Sequence, residues 1–299
     1  MITVGRAVAA GAAYSALVSL MLSGVSRYAI KSCRGEPLPS AVVKPWGLAG
    51  DRRWMVVDEA GDPVTARTFP RMILIRPELL PDGGVRVTAP GQPALAIARP
   101  DPAPVPVCVW GSELLADFGG EAAACWFTAA IGTPSRLVYL ADPTQRHPNQ
   151  RFAAVGDTVN FADGYPLLLT SEGSLAALND LIAGAPLAAE GPLPMMRFRP
   201  SVVVAGAPAW AEDGWRRLRI GAASFRAVKG RDRCVLTMVD PQTAARGKEP
   251  IATLARHRRW DGKTWFGMNL IPDTPGAIIS VGDDVELLEQ VPANDGPPR

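Results

Sequence analysis

Cysteine and histidine are scarce in this chain of 299 residues, which has four cysteines and two histidines. No two cysteines form a Cys-x-x-Cys pair, and His147 and His257 have no metal-ligand spacing. These absences argue against a zinc ribbon or an iron–sulfur domain. A disulfide framework is not expected in a chain of this length, so a reducing compartment, the cytoplasm, is the expected location.

Net charge and several nucleotide motifs are also lacking. The chain has 31 basic and 29 acidic residues, for a net charge of +2, which gives no reason to expect a nucleic-acid partner. There is no G-x-G-x-x-G after a strand, no phosphate-binding loop and no G-x-S-x-G turn. Dinucleotide dehydrogenases, nucleotide hydrolases and esterases are therefore disfavoured. The content of 47% hydrophobic and 20% charged residues is typical of a globular protein of one or two domains.

The N-terminus has a long uncharged stretch. Residues 7–25 contain no charged side chain and are close in length to a bilayer-spanning helix. They are mostly Ala, Gly and Ser, which gives little drive for insertion. Three interpretations of residues 1–23 therefore stay open: a membrane anchor, a frayed helix, or an extension before a natural start at Met21. Membrane contact through residues 7–25 is the alternative to a cytoplasmic location.

Short β-rich runs separated by Gly, Pro and Asp turns dominate the rest, which predicts a mainly β fold with helices, of the α+β class. The expected organisation is a β-barrel domain at 24–140, a second β-barrel domain with peripheral helices at 150–290, and a disordered tail at 291–299. The predicted strands include residues 24–31, 72–76, 201–205 and 235–239, with a closing hairpin at 277–288. The predicted helices are residues 121–131, 172–182 and 248–259.

One cysteine has an unusual context. Cys234 lies in residues 229–241 (KGRDRCVLTMVDP), where arginines precede an apolar run. Neighbouring positive charge favours a thiolate, which can act as nucleophile, redox centre or metal ligand. A buried core cysteine is the alternative. Cys33, Cys108 and Cys125 are expected to be packed residues.

Cations recur where predicted strands end. Such positions are occupied by Lys31, which Ser32 follows, and by Arg52 and Arg199. Ammonium and guanidinium groups at these positions suit the binding of a phosphate. Thr170 and Ser171 precede a predicted helix, whose N-terminus favours an anion. Solvated strand-end charges are the alternative. Arg67 fits a structural ion pair as well as a cleft role.

The order of these segments resembles a known family. Residues 31–37 (KSCRGEP), 47–57 (GLAGDRRWMVV) and 64–71 (VTARTFPR) are similar to the N-terminal β-barrel domain that accompanies MOSC domains (molybdenum cofactor sulfurase C-terminal domains). The MOSC domain itself is resembled by residues 170–179 (TSEGSLAALN), 197–204 (RFRPSVVV), 233–241 (RCVLTMVDP) and 248–254 (KEPIATL). The arrangement is similar to the mitochondrial amidoxime-reducing component and its bacterial relatives, from about residue 24 to 288.

The resemblance implies a molybdenum cofactor, molybdenum on a molybdopterin, held between the two domains. It implies that Cys234 is the metal ligand. The candidate catalytic residues are Cys234 and Asp240, although Asp240 also fits a turn before Pro241. The implied cofactor-binding positions are Lys31, Ser32, Arg52, Thr170, Ser171, Arg199, Asp232 and Arg233. The implied reaction is the two-electron reduction of small N-hydroxylated substrates such as amidoximes.

Two departures and two alternatives remain. Ser201 stands where close relatives often have Asn, which removes one expected cofactor hydrogen bond. The chain lacks the cysteines of an appended ferredoxin domain, so a separate flavin, ferredoxin-like or cytochrome-type electron donor is expected. The alternatives are a sulfur carrier with a persulfide on Cys234, working with a pyridoxal-phosphate partner, and a non-catalytic cofactor-binding module.

Overall fold

The computed structural model describes residues 19–293 and 296–299. Strands outnumber helices there, which confirms the predicted mainly β, α+β class. In chain order the strands are β1 (Met21–Arg27), β2 (Glu36–Leu38), β3 (Ser40–Lys44), β4 (Gly47–Leu48), β5 (Trp54–Val57), β6 (Arg76–Leu79), β7 (Val85–Ala89), β8 (Gln92–Ile97), β9 (Pro104–Val109), β10 (Ser112–Phe118), β11 (Arg136–Tyr139), β12 (Leu167–Ser171), β13 (Val202–Ala205), β14 (Trp215–Ile220), β15 (Ala223–Asp232), β16 (Arg259–Trp260), β17 (Lys263–Pro272), β18 (Ile278–Ser280) and β19 (Val285–Gln290). The α-helices are α1 (Glu121–Ile131), α2 (Glu172–Ala183) and α3 (Ile251–His257).

The largest sheet crosses the expected domain boundary. Its order is β19-β14-β15-β17-β12-β13-β1-β2, with β16 beside β17, and the pairs are antiparallel apart from the parallel pair β12–β13. β1 and β2 come from the start of the chain but complete the sheet of its second half. Apolar side chains of β1, β12, β13, β14, β15 and β17 share one core beneath this sheet, so burial of their surface ties the two ends of the chain together.

The first half has its own sheets and core. β5, β11, β10 and β9 form one sheet and β6, β7 and β8 another, while α1 packs against β11 and β8. Trp54, Trp126 and Phe127 are buried in that core. The bounds of α1 match the predicted helix because Gly132 ends it in the left-handed conformation, where its N–H donates to Thr128 O.

The predicted strand at residues 235–239 is wrong. Val235–Met238 forms a 3₁₀ turn directly after Cys234. The N–H and Oγ1 of Thr237 both donate to Cys234 O, at 3.1 and 2.9 Å, and close this turn. A threonine hydroxyl competes with strand pairing in this way, although the apolar composition of the run is typical of a strand.

Two other predicted strand segments also differ. Pro70–Leu74 is a 3₁₀ helix that begins on a proline, instead of the start of a strand at 72–76. The predicted closing hairpin is wrong because β18 pairs with β3 and β19 pairs with β14. The turn between them docks on β1, where Gly282 N donates to Leu22 O and Leu22 N donates to Asp283 O, so the two strands diverge.

Both ends of the chain take part in the fold where they are described. Residues 1–18 lie outside the described residues, but the end of the uncharged stretch is β1, with Leu22 and Val25 buried in the core. Among the described residues, no helix has the length and apolar character needed to cross a membrane. In the tail that was expected to be disordered, Pro298 O accepts from Gly230 N at 2.8 Å and Arg299 pairs with Asp261 at 3.0 Å.

Candidate functional site

One cleft collects most of the predicted site residues. It lies where the connections after β1 and before β5 meet the end of β15 and the 3₁₀ turn Met195–Phe198. Among the described residues, its lining has seven basic side chains but only two carboxylates, those of Asp163 and Asp232. The basic residues are Lys31, Arg52, Arg67, Arg197, Arg199, Arg231 and Arg233. Ser32 and Cys234 line the same cleft, so this cavity suits an anion.

Three lining residues have left-handed backbone conformations. The φ angles are +68° at Ser32, +43° at Arg52 and +55° at Arg199. Such conformations cost a non-glycine residue about 1–3 kcal/mol and cluster at ligand clamps. The surrounding fold therefore holds these three residues in orientations that their own backbone preferences do not favour.

Cys234 lies half-buried at the end of β15, where its Sγ accepts a hydrogen bond from Arg67 Nε at 3.3 Å. Burial acts to raise the pKa of this thiol. The charge and hydrogen bond of Arg67, with a further contribution from Arg233, outweigh that effect, so the pKa lies below its ordinary value. The lowered pKa agrees in direction with the prediction from neighbouring arginines, but its main source is Arg67, which lies 167 residues earlier in the chain.

Asp163 is the centre of the ion-pair network beside Cys234. Its carboxylate accepts from Lys31 at 2.6 Å, from Arg67 and Arg231 at 2.7 Å each, and from the indole of Trp110 at 3.2 Å. Burial alone would raise the pKa of Asp163, but these three cations hold it well below its usual range. Arg146 positions the residue by donating to Asp163 O at 2.8 Å.

Several residues that line the cleft have buried polar atoms without partners. Among the described residues, Nε and Nη1 of Arg233, Nε of Arg197 and the hydroxyl of Tyr165 are buried and unbonded. Burial lowers the pKa of Arg233 to about 9. The Arg199 guanidinium lies 4.3 Å from the Tyr28 ring centroid, and burial lowers its pKa too. Unpaired buried donors are costly, so these groups fit a polyanionic ligand that would complete their hydrogen bonds.

Arg52 is held differently from Arg199. Its guanidinium pairs with buried Asp51 at 2.5 Å and lies 4.6 Å from the Tyr28 ring centroid. Burial acts to lower its pKa, but Asp51 and Tyr28 raise it overall. Asp51 and Tyr28 thus favour the charged form of Arg52 at the cleft.

Three predicted site residues do not line the cleft. Thr170 is buried with its Oγ1 donating to Met195 Sδ at 3.1 Å. Ser171 is buried as the N-cap of α2, where its Oγ accepts from Ser174 N at 3.2 Å. Asp240 accepts from Gln242 N and Thr243 N and pairs with Arg197 at 3.1 Å, so its oxygens are used in the turn before Pro241.

Sequence reasoning missed Asp163, Tyr165 and Arg231 and left Arg67 undecided. Asp163 and Tyr165 lie in an irregular connection between the two halves of the chain, where no strand or helix pattern points to them. Arg231 did offer a signal, because it belongs to the same basic motif as Cys234 and lies near the end of β15. The expectation for Cys33 fits the structure, because the residue is fully buried and burial raises its pKa to about 12. The same expectation is wrong for Cys125, which is exposed on α1.

We expect Asp163→Asn to lower the free energy of unfolding of the cofactor-free protein by about 2–3 kcal/mol, because Lys31, Arg67 and Arg231 lose their counter-charge. Urea unfolding measures the change. The matched control is Asp232→Asn, whose carboxylate is 38% exposed and 3.4 Å from exposed Lys263; it should cost less than about 1 kcal/mol. Equal losses in both variants would contradict the central role of Asp163.

The same comparison has a defined pH dependence. The folded-state pKa of Asp163 lies below its unfolded value, so its stabilisation is fully present above about pH 4 and is lost as the pH falls through the folded pKa. The contribution of the Asp163 carboxylate to the stability difference between wild type and Asp163→Asn should therefore narrow only below about pH 4.

Comparisons with known proteins match this arrangement. The MOSC N-terminal beta barrel domain family matches residues 19–134, and the MOSC domain family matches residues 156–286. Human mitochondrial amidoxime-reducing component 1 is 35% identical over 284 residues, which cover 88% of this chain and 81% of that protein. The human mitochondrial amidoxime reducing component 2 is 32% identical over 246 residues, covering 78% and 71%.

A second kind of relative is a molybdenum cofactor sulfurase from rice, Oryza sativa subsp. japonica. It is 31% identical over 271 residues, which cover 85% of this chain but only 33% of the sulfurase. The two matched domains, their order and the extent of the similarity confirm the resemblance inferred from the motifs. The chain belongs to the MOSC family, with an N-terminal MOSC β-barrel domain followed by a MOSC domain, and is similar over most of its length to the mitochondrial amidoxime-reducing components.

Proposed function

We propose that this chain is a molybdenum-cofactor-dependent reductase of small N-hydroxylated substrates, of the amidoxime or hydroxylamine type, with Cys234 Sγ as the protein ligand of the metal. The observation that carries the proposal is that one cleft contains both the Cys234 sulfur, which accepts a hydrogen bond from Arg67, and buried arginine donors without partners. The amidoxime-reducing relatives support the reaction class.

The donor set suits a metal that brings its own organic ligands. Within residues 19–293 and 296–299, no group of three or more His, Cys, Asp or Glu side chains could hold a metal ion. Cys234 is the cysteine that lines the cleft, and in this proposal the remaining ligands come from the cofactor. A dithiolene-bearing pterin with a phosphate meets that requirement and also supplies acceptors for the unpaired arginines.

The cleft residues have distinct roles in this proposal. Arg233 would hold the anionic part of the cofactor with donors that otherwise stay unpaired, and Arg199 would add a second guanidinium from its position against Tyr28. Lys31, Ser32, Arg52 and Asp232 complete the lining, while Arg67 holds the Cys234 thiolate in place. The remaining predicted site residues act indirectly in this proposal. Thr170 and Ser171 lie at the start of α2, and Asp240 lies in the turn that holds Arg197 in the lining.

The reaction itself is a balanced two-electron step. An N-hydroxyamidine takes up two electrons and two protons and gives an amidine and water. When bound, the cofactor supplies the two-electron change that removal of the oxygen requires. A separate protein or flavin donor provides the electrons in this proposal.

The direct test is to purify the protein from cells that make the cofactor, measure molybdenum by elemental analysis, and assay the reduction of an N-hydroxyamidine with a chemical electron donor. We expect close to one molybdenum per chain and conversion to the amidine. Molybdenum bound without reduction of any N-hydroxylated compound would favour a non-catalytic cofactor-binding module. Absence of molybdenum would overturn the proposal.

The similarity to a cofactor sulfurase favours one second candidate, a sulfur carrier in which Cys234 bears a persulfide. The same lowered pKa that suits a metal ligand also suits sulfur transfer. Two results together would support the carrier instead. The metal-free protein would accept sulfur on Cys234 from a pyridoxal-phosphate partner, and the cofactor-loaded protein would have no reductase activity.

A further inference from the structure

A tryptophan occupies an unusual position at the mouth of the cleft. Trp110 and Gly111 form the two-residue turn between β9 and β10, in which Val109 pairs with Ser112. Their φ angles are +52° and +85°, so both residues are left-handed. Such turns favour Asn-Gly or Gly-Gly, and a bulky side chain in the first position is unfavourable. Local turn chemistry therefore does not explain the tryptophan.

The indole is held in place without being buried. Its Nε1 donates to Asp163 at 3.2 Å, and the Arg67 guanidinium lies 4.5 Å from the ring centroid. Trp110 is nevertheless 53% exposed. A large flat ring that is fixed by a hydrogen bond and a cation, but still open to solvent, is preorganised to receive another flat group.

The ring borders the same opening as the proposed metal ligand. The outer part of the cleft is lined by Arg67, Trp110, Asp163, Arg231, Asp232 and Cys234. Apart from Trp110 and Cys234, the members of that lining are charged. Trp110 thus supplies the apolar surface at the entrance, and it comes from the first half of the chain, whereas Cys234 comes from the second.

We propose that Trp110 is a specificity-determining residue that stacks on the conjugated ring of an N-hydroxylated arylamidine and makes the protein prefer it to a saturated counterpart of equal size. The proposal rests on the proposed reductase function and names the substrate class of that site. Stacking requires a flat π system, which a cyclohexyl group lacks although it has a similar apolar surface.

The test compares N-hydroxybenzamidine with N-hydroxycyclohexanecarboxamidine in the molybdenum-loaded protein. The ratio of their kcat/KM values should fall about tenfold in Trp110→Leu and by less than about threefold in Trp110→Phe, which keeps a flat ring. The matched control is Leu115→Ala, on β10 of the same hairpin, because Leu115 is equally exposed, at 54%, and does not line the opening. It should leave the ratio unchanged. An unchanged ratio in Trp110→Leu would overturn the proposal, as would an equal loss in Trp110→Phe.

A binding measurement separates this inference from the reductase proposal. Benzamide and cyclohexanecarboxamide are neutral, cannot be reduced in this way, and present the same two ring types. In calorimetry, Trp110→Leu should weaken benzamide binding about tenfold more than cyclohexanecarboxamide binding. Equal weakening of the binding of both amides would contradict the stacking role even if the enzyme is active. If Trp110→Leu weakens benzamide binding preferentially but the protein reduces no N-hydroxy compound, the stacking role stands and the reductase proposal is rejected.

Discussion

Replacing Cys234 with serine should lower N-hydroxy reductase activity at least about a hundredfold, the scale on which even the partners that orient metal ligands matter. Serine is nearly isosteric, but its hydroxyl stays protonated near neutral pH, so Arg67 no longer faces a thiolate and the metal loses its protein ligand. Reductase activity and molybdenum content, measured on the same preparation, give the result.

The matched control is Cys125→Ser, because Cys125 is an exposed cysteine on α1 and does not line the cleft. It should retain wild-type activity and molybdenum. Cys33 is a poor control because it is fully buried in the core of the first half. Full activity with retained molybdenum in Cys234→Ser would refute the ligand role. Sulfur added to wild-type Cys234 in the metal-free protein, detected by mass spectrometry, would point to the carrier.

The sequence could predict those cleft residues that lie in motifs near the ends of strands. Lys31, Arg52, Arg199 and Arg233 lie in or beside short motifs, and the folded chain brings all four to the cleft. Their meeting depends on β1 pairing with β13 across the molecule. That pairing has no local signal, so the motifs and their order carried the prediction.

The residues that sequence reasoning missed depend on long-range geometry. Asp163 lies in an irregular connection, and its importance arises because three cations from distant segments converge on it.

Thr170 and Ser171 were expected at the cleft because a helix N-terminus favours anions. Ser171 instead caps its own helix, a local use of the hydroxyl that the motif alone could not distinguish from ligand binding.

We expect Arg233→Met to abolish cofactor retention but to leave the cofactor-free protein as stable as wild type or more stable, by about 1 kcal/mol or more. The buried Nε and Nη1 of Arg233 have no partner among the described residues, and only its Nη2 donates, to Phe198 O at 2.7 Å. Burial of the Arg233 charge outweighs the attraction of Cys234, Asp232 and Asp163, which is why its pKa is lowered, and methionine fills similar space without that cost. Molybdenum content and urea unfolding of the metal-free protein measure the two effects.

The matched control is Arg219→Met, which removes the same charge from an exposed residue, 50% accessible, that pairs with Glu286 on the far edge of the large sheet. It should change neither molybdenum content nor stability by more than about 1 kcal/mol. Lower stability of cofactor-free Arg233→Met would mean that Arg233 serves the fold itself. Higher stability together with lost molybdenum would mean that the fold tolerates an unfavourable cation because the ligand needs it, which is the signature of a binding site.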